Sequence, residues 1–305
     1  MNHKCKIGIT GARGRFAPIV AEYLRGKGVE VTTFSRKSCA QHKGLATLLD
    51  PAVLSQFDVI LHFGWGTVPK DSEEKQGTEW QKDLPFISKL LQALGQIAEK
   101  HRPYLIFSST GAVYGECGNE PAVEGMALAP KSYYAAGKVA AEDLLQQHSA
   151  HGLGKVAILR ISNLYGAQGV SKVPQGVMAK LSECFHKNTQ PTIWGDGTAT
   201  KDYLHVDDFC EAVYRVLAER LEGVWNLCTG TSHSLLEVLS IFSKHLKWNP
   251  DCVFLPHPSW DVEKTNLSSQ KLTTATRWFP KIELEQGIQE YLSTSAGGHR
   301  KGKIA

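Results

Sequence analysis

Short apolar runs alternate with amphipathic segments in the first half of the chain. The apolar runs are Lys6–Thr10, Gly28–Phe34, Asp58–Gly64 and Tyr104–Phe107. Largely continuous apolar character is typical of parallel strands that are buried on both faces of a sheet. After the first run, apolar residues recur at helical spacing, at Ile19, Val20, Tyr23 and Leu24.

Two further helices are predicted, one from about Trp80 to Lys100 and one from Tyr134 to about residue 148. Strands that alternate with helices favour the α/β fold class, with helices on both faces of a mostly parallel sheet. We therefore predict a Rossmann-type doubly wound parallel sheet.

Composition limits the function classes. The chain has 305 residues, enough for one large unit or two closely joined domains, with 42% hydrophobic and 21% charged residues. Its net charge of +4 is small and spread along the chain, so nucleic acid is not an expected partner. With neither a signal peptide nor a membrane segment recognisable, a cytoplasmic protein is expected. The seven cysteines lack CxxC spacing, and no metal site is predicted.

A glycine-rich turn follows the first predicted strand and leads into the first predicted helix. Such a turn presents backbone N–H groups and a helix N-terminus to a pyrophosphate, as in dinucleotide-binding proteins. We therefore predict cofactor contacts from the turn, at Gly11, Arg13, Gly14, Arg15 and Phe16.

The end of the second predicted strand bears on the choice of cofactor. An acidic residue there binds the ribose hydroxyls of NAD. Here the residues are Ser35 and Arg36, which with Arg13 offer donors and positive charge to a 2′-phosphate. The sequence favours NADP, with NAD as the alternative.

Hydroxyl groups and glycines mark the ends of the next two strands. Gly64 and Trp65 follow the Asp58 strand, and Ser108 and Thr110 follow the Tyr104 strand. Side chains at the carboxyl ends of strands in a doubly wound sheet face the ligand crevice. We expect Gly64 and Ser108 near the cofactor, and Trp65 and Thr110 near the substrate.

Tyr134 and Lys138 are four residues apart on a predicted helix and therefore share one face. A fixed ammonium favours the phenolate and lowers the pKa of a nearby tyrosine, which suits proton transfer. The pair is our candidate for catalytic acid/base chemistry.

Together these motifs resemble the extended short-chain dehydrogenase/reductases, specifically the NAD(P)-dependent nucleotide-sugar epimerase/dehydratase family. The resemblance extends to about residue 292. It rests on Thr10-Gly11-x-x-Gly14-x-x-Ala17, Ser108-Ser109-Thr110-x-x-x-Tyr114-Gly115, Tyr134-x-x-x-Lys138, Arg160-Ile161-Ser162-Asn163-Leu164-Tyr165-Gly166, Trp194-Gly195-Asp196-Gly197, Lys201-Asp202-Tyr203 and Asn226-Leu227-Cys228-Thr229-Gly230.

The resemblance implies an enzyme that acts at C4 of a nucleotide-activated sugar. Tyr134 matches the catalytic acid/base, Lys138 its partner on the nicotinamide ribose, and Thr110 the hydroxyl that bonds the reacting sugar oxygen. Asn163 and Trp194 match residues near the nucleotide-sugar.

The resemblance also implies a division of the chain and an assembly. A dinucleotide-binding domain would comprise residues 1–166 and about 200–230. A smaller, discontinuous substrate domain would comprise about 167–199 and 231–292, followed by a flexible tail at 293–305. The helices near 80–100 and 134–148 would pair with those of a second copy in a homodimer.

Some positions depart from the family pattern. Lys201 stands where an arginine commonly binds the diphosphate, and Pro258 stands at the second such arginine. Asp83 stands where an asparagine is usual. Gly111 and Ala112 replace the Asp-Glu pair of the 4,6-dehydratases, which disfavours dehydration.

Four functions are compatible with the sequence. The Ser35 and Arg36 pair slightly favours an NADPH-dependent 4-keto-sugar reductase over a nucleotide-sugar 4-epimerase. An enzyme for a smaller carbonyl compound and a non-catalytic NADP-binding sensor or scaffold also stay open.

Overall fold

The structure is a computed structural model that describes residues 5–166 and 176–296. The strands in these ranges are β1 Lys6–Thr10, β2 Glu30–Ser35, β3 Lys43–Gly44, β4 Val59–His62, β5 Tyr104–Thr110, β6 Val156–Ile161, β7 Asn163–Tyr165, β8 Thr192–Trp194, β9 Thr200–His205, β10 Gly223–Leu227, β11 Ser232–Ser234 and β12 Val253–Leu255. The α-helices are α1 Ala17–Gly26, α2 Pro51–Leu54, α3 Pro69–Glu74, α4 Leu84–Gly95, α5 Tyr133–Ala150, α6 Val177–Lys187, α7 Val206–Ala218, α8 Leu235–Leu246, α9 Gln270–Thr276 and α10 Leu284–Ala296.

A seven-stranded parallel sheet forms the larger part of the molecule. Its strand order is β10-β6-β5-β4-β1-β2-β3. The direction of winding reverses between β1 and β4, and ligands bind doubly wound sheets outside the strand ends at such a point. The prediction of a Rossmann-type sheet is confirmed.

Both faces of this sheet are covered, which explains the continuous apolar runs. Ile7 and Ile9 pack into one cluster together with residues of α1 and α7. Ile60 and Leu105 pack into a second cluster on the opposite face, together with residues of α4 and α5. Since successive side chains of a strand point to opposite faces, each strand needs apolar residues at nearly every position.

Two smaller sheets belong to the C-terminal half. One has the order β11-β9-β7 and the other pairs β12 with β8. A separate hydrophobic cluster supports them and contains Tyr165, Met178, Leu181, Tyr203, Val238, Phe242, Leu284, Ile288 and Tyr291.

The domain division predicted from the sequence stays an expectation. Strand β10 lies in the large sheet, as that division requires, whereas β7 and β9 pair in a small sheet. Helix α10 continues to Ala296, past the expected start of the tail. The remaining tail, 297–305, and the segment 167–175 lie outside the described residues.

The predicted helix from Trp80 to Lys100 is wrong in detail. It begins as a π-helical turn, Glu79–Asp83, continues as α4 and gives way after Gly95 to a 3₁₀ turn at Glu99–His101. Glycine is a poor helix residue, which accounts for the early end of α4. In the described ranges every helix is too short or too polar to span a bilayer.

A buried ion pair ties α5 to the large sheet. Arg160 on β6 donates to Glu142 on α5, with Nη2 2.7 Å from Oε2, and both side chains are nearly inaccessible. Glu142 also accepts from Ser109, and Arg160 donates to Tyr114 at 3.0 Å. The network therefore fixes α5 against the loop that follows β5.

Breaking this buried ion pair should lower the free energy of unfolding much more than breaking an ion pair on the surface. We expect Arg160→Met to lower the free energy of unfolding by about 3–5 kcal/mol, because Glu142 would be left buried without its cation. Lys155→Met is the matched control, since Lys155 pairs with Glu222 at 2.7 Å on the surface. Lys155→Met should lower the free energy of unfolding by less than about 1 kcal/mol when both variants are unfolded in urea. Equal losses in the two variants would contradict this account.

Candidate active site

The glycine turn lies against the loop that follows β4. Gly11 has a φ of +82°, and a Cβ there would lie 2.9 Å from the Gly64 nitrogen. The Gly64 N–H donates to Thr10 Oγ1 at 2.9 Å, which joins the two loops. The residue before α1, Phe16, offers no side-chain cap to the helix N-terminus. A close backbone approach and an uncapped helix are compatible with a diphosphate, and the predicted cofactor contacts of the turn stay a prediction.

Other residues of the turn face different neighbours. Arg15 lies over the Phe16 ring, 5.2 Å from its centroid, and is partly buried next to Tyr291 of α10. Burial lowers the pKa of Arg15, and Tyr291 acts in the opposite direction. Arg15 is thus directed towards the C-terminal helix, and its predicted cofactor contact stays a prediction. Gly14 closes the turn, since its N–H donates to the Gly11 carbonyl at 2.7 Å.

The adenosine end predicted from the sequence presents two exposed arginines. Arg36 follows β2, Arg13 lies in the glycine turn, and both side chains are on the surface. The Ser35 hydroxyl is buried and donates to the Lys37 carbonyl. The two guanidinium groups are therefore available to a ligand, whereas the Ser35 hydroxyl is engaged in its own turn.

Helix α5 positions the candidate catalytic pair. The hydroxyl of Ser132 accepts from the Ala135 N–H at 3.1 Å and caps the helix. Lys138, 2% exposed, donates through Nζ to the Ser108 carbonyl at 2.6 Å. Its ammonium lies 5.8 Å from the Tyr134 ring centroid. The predicted pair is thus brought to the carboxyl end of β5.

Aromatic rings surround this ammonium group. Nζ of Lys138 is 3.9 Å from the Trp65 ring centroid and 4.7 Å from that of Phe107. Trp65 also meets Tyr134 edge to face at 6.5 Å. Trp65, predicted to contact substrate, therefore packs behind the catalytic pair.

The electrostatics of the pair differ from the expectation. Burial lowers the pKa of Lys138 to about 7, and Asp83 and Glu142 oppose this shift. Burial, with smaller effects of Asp83 and Glu79, raises the pKa of the Tyr134 phenol. We expected a lowered pKa for Tyr134, and this was wrong because burial and the carboxylates of Asp83 and Glu79 disfavour the phenolate.

The hydroxyls after β5 have separate roles. Thr110 Oγ1 accepts from the Ala112 N–H at 3.2 Å and caps the 3₁₀ turn Gly111–Tyr114. Ser108 Oγ donates to the His62 carbonyl at 3.2 Å. Thr110 is partly exposed, so its hydroxyl can still donate to a ligand.

Two of the predicted substrate residues, Asn163 and Trp194, lie on strands of the two smaller sheets. Asn163 is exposed and donates to the Asp202 carbonyl at 3.2 Å. Trp194 meets Trp260 edge to face, with ring centroids 5.3 Å apart. A cavity of about 810 Å³ lies at Trp194, and other residues that line it are Glu116, Lys131, Thr198, His257 and Lys264.

Lys201 does not present a free charge. Its Nζ lies 3.1 Å from Asp261 Oδ1 and also donates to the Val262 carbonyl. The His257 Nε2 lies 3.4 Å from the other oxygen of Asp261. This cluster could not be predicted from local patterns, because Lys201 and its partners are about sixty residues apart in the chain.

Two acidic residues near the pair also escaped the prediction of site residues. Glu79 is completely buried and accepts hydrogen bonds from Thr67 and Ser72. Asp83 accepts from the Gly66 N–H at 2.9 Å. Their spacing of four residues in a predicted helix was a visible signal that both point to one side.

Comparisons with known proteins agree with this geometry. The NAD dependent epimerase/dehydratase family matches residues 7–228. The chain belongs to this family. The prediction of an NAD(P)-dependent enzyme of the extended short-chain dehydrogenase/reductase type is confirmed.

Several relatives of the family are similar over most of the chain. A UDP-glucose 4-epimerase of Corynebacterium glutamicum is 26% identical over 97% of both chains. UDP-glucose 4-epimerase 4 of Oryza sativa subsp. japonica is 27% identical over 76% of this chain and 68% of its own.

Solved structures of the family share the fold. The UDP-glucose 4-epimerase of Thermus thermophilus, in complex with NAD, superimposes with a TM-score of 0.85 at 28% identity, covering 96% of this chain and 100% of that one. An NAD dependent NDP-hexosamine 5,6-dehydratase of tunicamycin biosynthesis gives a TM-score of 0.86 at 23% identity, covering 97% and 99%. The second likeness concerns the fold alone.

Proposed function

We propose that the protein is a nucleotide-sugar 4-epimerase that uses tightly held NAD. The observation that carries the proposal is the hydrogen bond from Lys138, four residues after Tyr134 on α5, to the Ser108 carbonyl of β5, in the same parallel sheet in which the glycine turn follows β1. Relatives named UDP-glucose 4-epimerase support it. They favour the 4-epimerase over the 4-keto-sugar reductase that the sequence slightly preferred.

Each residue of the site has a separate role in the proposed reaction. The backbone of Gly11, Gly14 and the start of α1 holds the cofactor diphosphate, and Lys138 holds the nicotinamide ribose. The nicotinamide, when bound, supplies the hydride acceptor and donor. Tyr134 takes the proton of the C4 hydroxyl and returns it after the sugar has presented its other face. Thr110 donates to the reacting oxygen and orients it.

The substrate end must bind a nucleotide diphosphate without the usual pair of arginines. Lys201 forms an ion pair with Asp261, so a phosphate would have to bind Lys201 beside Asp261 or take the place of the Asp261 carboxylate. The Trp194 ring offers an apolar face to a base at the edge of the cavity.

A second candidate is an NADPH-dependent 4-keto-sugar reductase. The exposed Arg13 and Arg36 favour it, as does the raised pKa of Tyr134, which keeps the phenol protonated and ready to act as an acid. Because a reductase consumes NADPH, its cofactor must bind and leave in every turnover.

The catalytic assignment predicts a sharp contrast between two neighbours. Tyr134→Phe should lower the rate of UDP-glucose and UDP-galactose interconversion about a hundredfold or more, the scale of general acid/base catalysis. Tyr133→Phe is the control, since Tyr133 is exposed and points some 100° away on the helix. Coupled-enzyme assays of both variants test this. A larger loss in Tyr133→Phe would overturn the assignment.

The cofactor separates the two candidates. For the epimerase, we expect the purified protein to carry one NAD per chain, and Arg36→Ala to leave that content unchanged. For the reductase, contacts of Arg13 and Arg36 with a 2′-phosphate, each worth about 1.5–3 kcal/mol, would favour NADPH over NADH at least about a hundredfold. Extraction with mass spectrometry and titration calorimetry distinguish them. Lys37→Ala is the control for a nearby exposed cation.

The homodimer stays a prediction. The exposed positions of α4 and α5 include Lys89, Gln92, Asp143 and Gln147, which are polar, so these positions lend the dimer no support. We still expect a dimer through these helices, on the resemblance alone. Sedimentation velocity at micromolar concentration tests it, and a monomer there would remove the expectation while leaving the catalytic proposal intact.

A further inference from the structure

A histidine forms part of the wall of the cavity at Trp194. His257 lines this cavity of about 810 Å³, whereas neither Lys201 nor Asp261 is among the described residues that line it. A ligand in the cavity therefore contacts His257 rather than the ion pair of Lys201 and Asp261. The charge that this wall presents to a ligand thus depends on the protonation of His257.

Backbone contacts fix His257 next to Trp194. The Gly195 N–H donates to the Leu255 carbonyl at 2.8 Å, which joins the end of β8 to the end of β12. A Cβ at Gly195 would lie 3.5 Å from the His257 Cβ and 3.6 Å from its Cδ2. The imidazole ring therefore packs over the glycine that follows Trp194, and only 16% of the side chain is exposed.

Both ring nitrogens of His257 lie near a carboxylate. Nε2 is 3.4 Å from Asp261 Oδ2, and Nδ1 is 3.8 Å from Glu263 Oε1. Nε2 is buried and has no hydrogen-bond partner among the described residues. Since an imidazolium donates from both nitrogens, the charged ring can serve an anion on each side.

Of the two carboxylates, Glu263 is the one that a ligand can replace. Its side chain is 67% exposed and lines the cavity, whereas the Asp261 side chain is partly buried and held by Lys201 at 3.1 Å. An exposed ion pair with a long separation contributes little stability. An anionic group in the cavity can thus take the position of the Glu263 carboxylate at Nδ1 of His257.

The backbone at Glu263 is held in place even though its side chain is exposed. Glu116 accepts from the N–H groups of Glu263 and Lys264 at 2.9 and 3.0 Å, and from the Lys131 ammonium at 2.6 Å. Lys264 lines the cavity, is exposed and forms no ion pair with another described residue. Its ammonium is therefore available as a second cation for the same cavity.

We propose that His257 is a specificity-determining residue that binds an anionic group of the substrate as an imidazolium, in exchange for Glu263, and so couples substrate binding to proton uptake. The inference rests on the proposed function, in which that group is the diphosphate of a nucleotide-sugar. Histidine changes its charge between about pH 5 and 8, whereas arginine stays charged throughout this range. The cavity therefore binds an anion more weakly as the pH rises, and the ion pair of Lys201 and Asp261 stays intact.

Other charged groups around the cavity and the imidazole enter the same balance. They are Asp261, Glu263 and Lys264 on the loop of His257, Glu116 and Lys131 between β5 and α5, Asp196 after β8, and Lys201 on β9. Hydrogen bonds from Thr198 lower the pKa of Asp196. Burial acts to raise the pKa of Glu116, but hydrogen bonds from Lys131 and from the backbone of 263–264 lower it overall. Both carboxylates stay charged at neutral pH, so neither supplies the proton uptake.

Nuclear magnetic resonance of the full-length protein with labelled histidine rings tests the anion site without any substrate. The variants His257→Gln and His245→Gln identify the two signals by their loss. We expect sodium sulfate to raise the titration midpoint of His257 by about half a pH unit or more relative to sodium chloride at equal ionic strength, because an anion that binds the imidazolium favours that form. The midpoint of His245 should not move, since His245 pairs with Glu285 outside the cavity wall.

Titration calorimetry with UDP-glucose tests the coupling to substrate binding. Both phosphates of this probe are esterified, so its own charge is constant from pH 6 to 8. We expect the wild type to bind it about tenfold or more tightly at pH 6 than at pH 8, and to take up protons when the heats in buffers of different ionisation enthalpy are compared. His257→Gln should bind weakly at both pH values, and His257→Arg tightly at both. His245→Gln should behave as the wild type does.

The two experiments separate the role of His257 from the proposed function. A His257 midpoint that sulfate leaves unmoved would overturn the anion site. Wild-type pH dependence of UDP-glucose binding in folded His257→Gln would overturn the coupling to proton uptake. A midpoint that rises with sulfate in a protein that does not bind UDP-glucose would support the anion site and count against the nucleotide-sugar 4-epimerase.

Discussion

The buried ammonium group of Lys138 is the constraint on which the arrangement of the site depends. A cation in an apolar interior is unfavourable unless its surroundings compensate. The compensation comes from the carbonyl of Ser108, the rings of Trp65 and Phe107, and the carboxylate of Asp83. These groups belong to separate strands and loops, so the site exists only when the sheet, α5 and the turn before α4 are assembled together.

The parts of the site that could be predicted from the sequence depend on local signals. The spacing of Tyr134 and Lys138 is set by one helix, and Gly11 and Gly14 by one turn, so both were recognisable without tertiary information. The large sheet could also be predicted from the sequence, because burial on both faces requires a continuous apolar run in each strand.

Other features depend on contacts between distant segments. Glu79 and Asp83 would ordinarily be placed on a solvated helix face, since acidic residues are rarely buried. Glu79 is nevertheless buried and Asp83 partly buried, because of the π-helical turn and the absence of side chains at Gly66 and Gly137. Likewise, the resemblance put Lys201 at a position that commonly binds the diphosphate, but Asp261, sixty residues further along, holds it in an ion pair. Helical or strand periodicity carries no information about such pairs.

The contact between Gly137 and Glu79 also bears on how this site can change over evolutionary time. Because Glu79 Cγ occupies the space where a Cβ at position 137 would lie, a larger residue at 137 requires a shorter one at 79. Loss of the Glu79 side chain would in turn leave Thr67 and Ser72 without their shared acceptor. Position 137 is thus constrained by position 79 across the helix interface, and a lineage that enlarges residue 137 must also shorten residue 79 and provide another partner for Thr67 and Ser72.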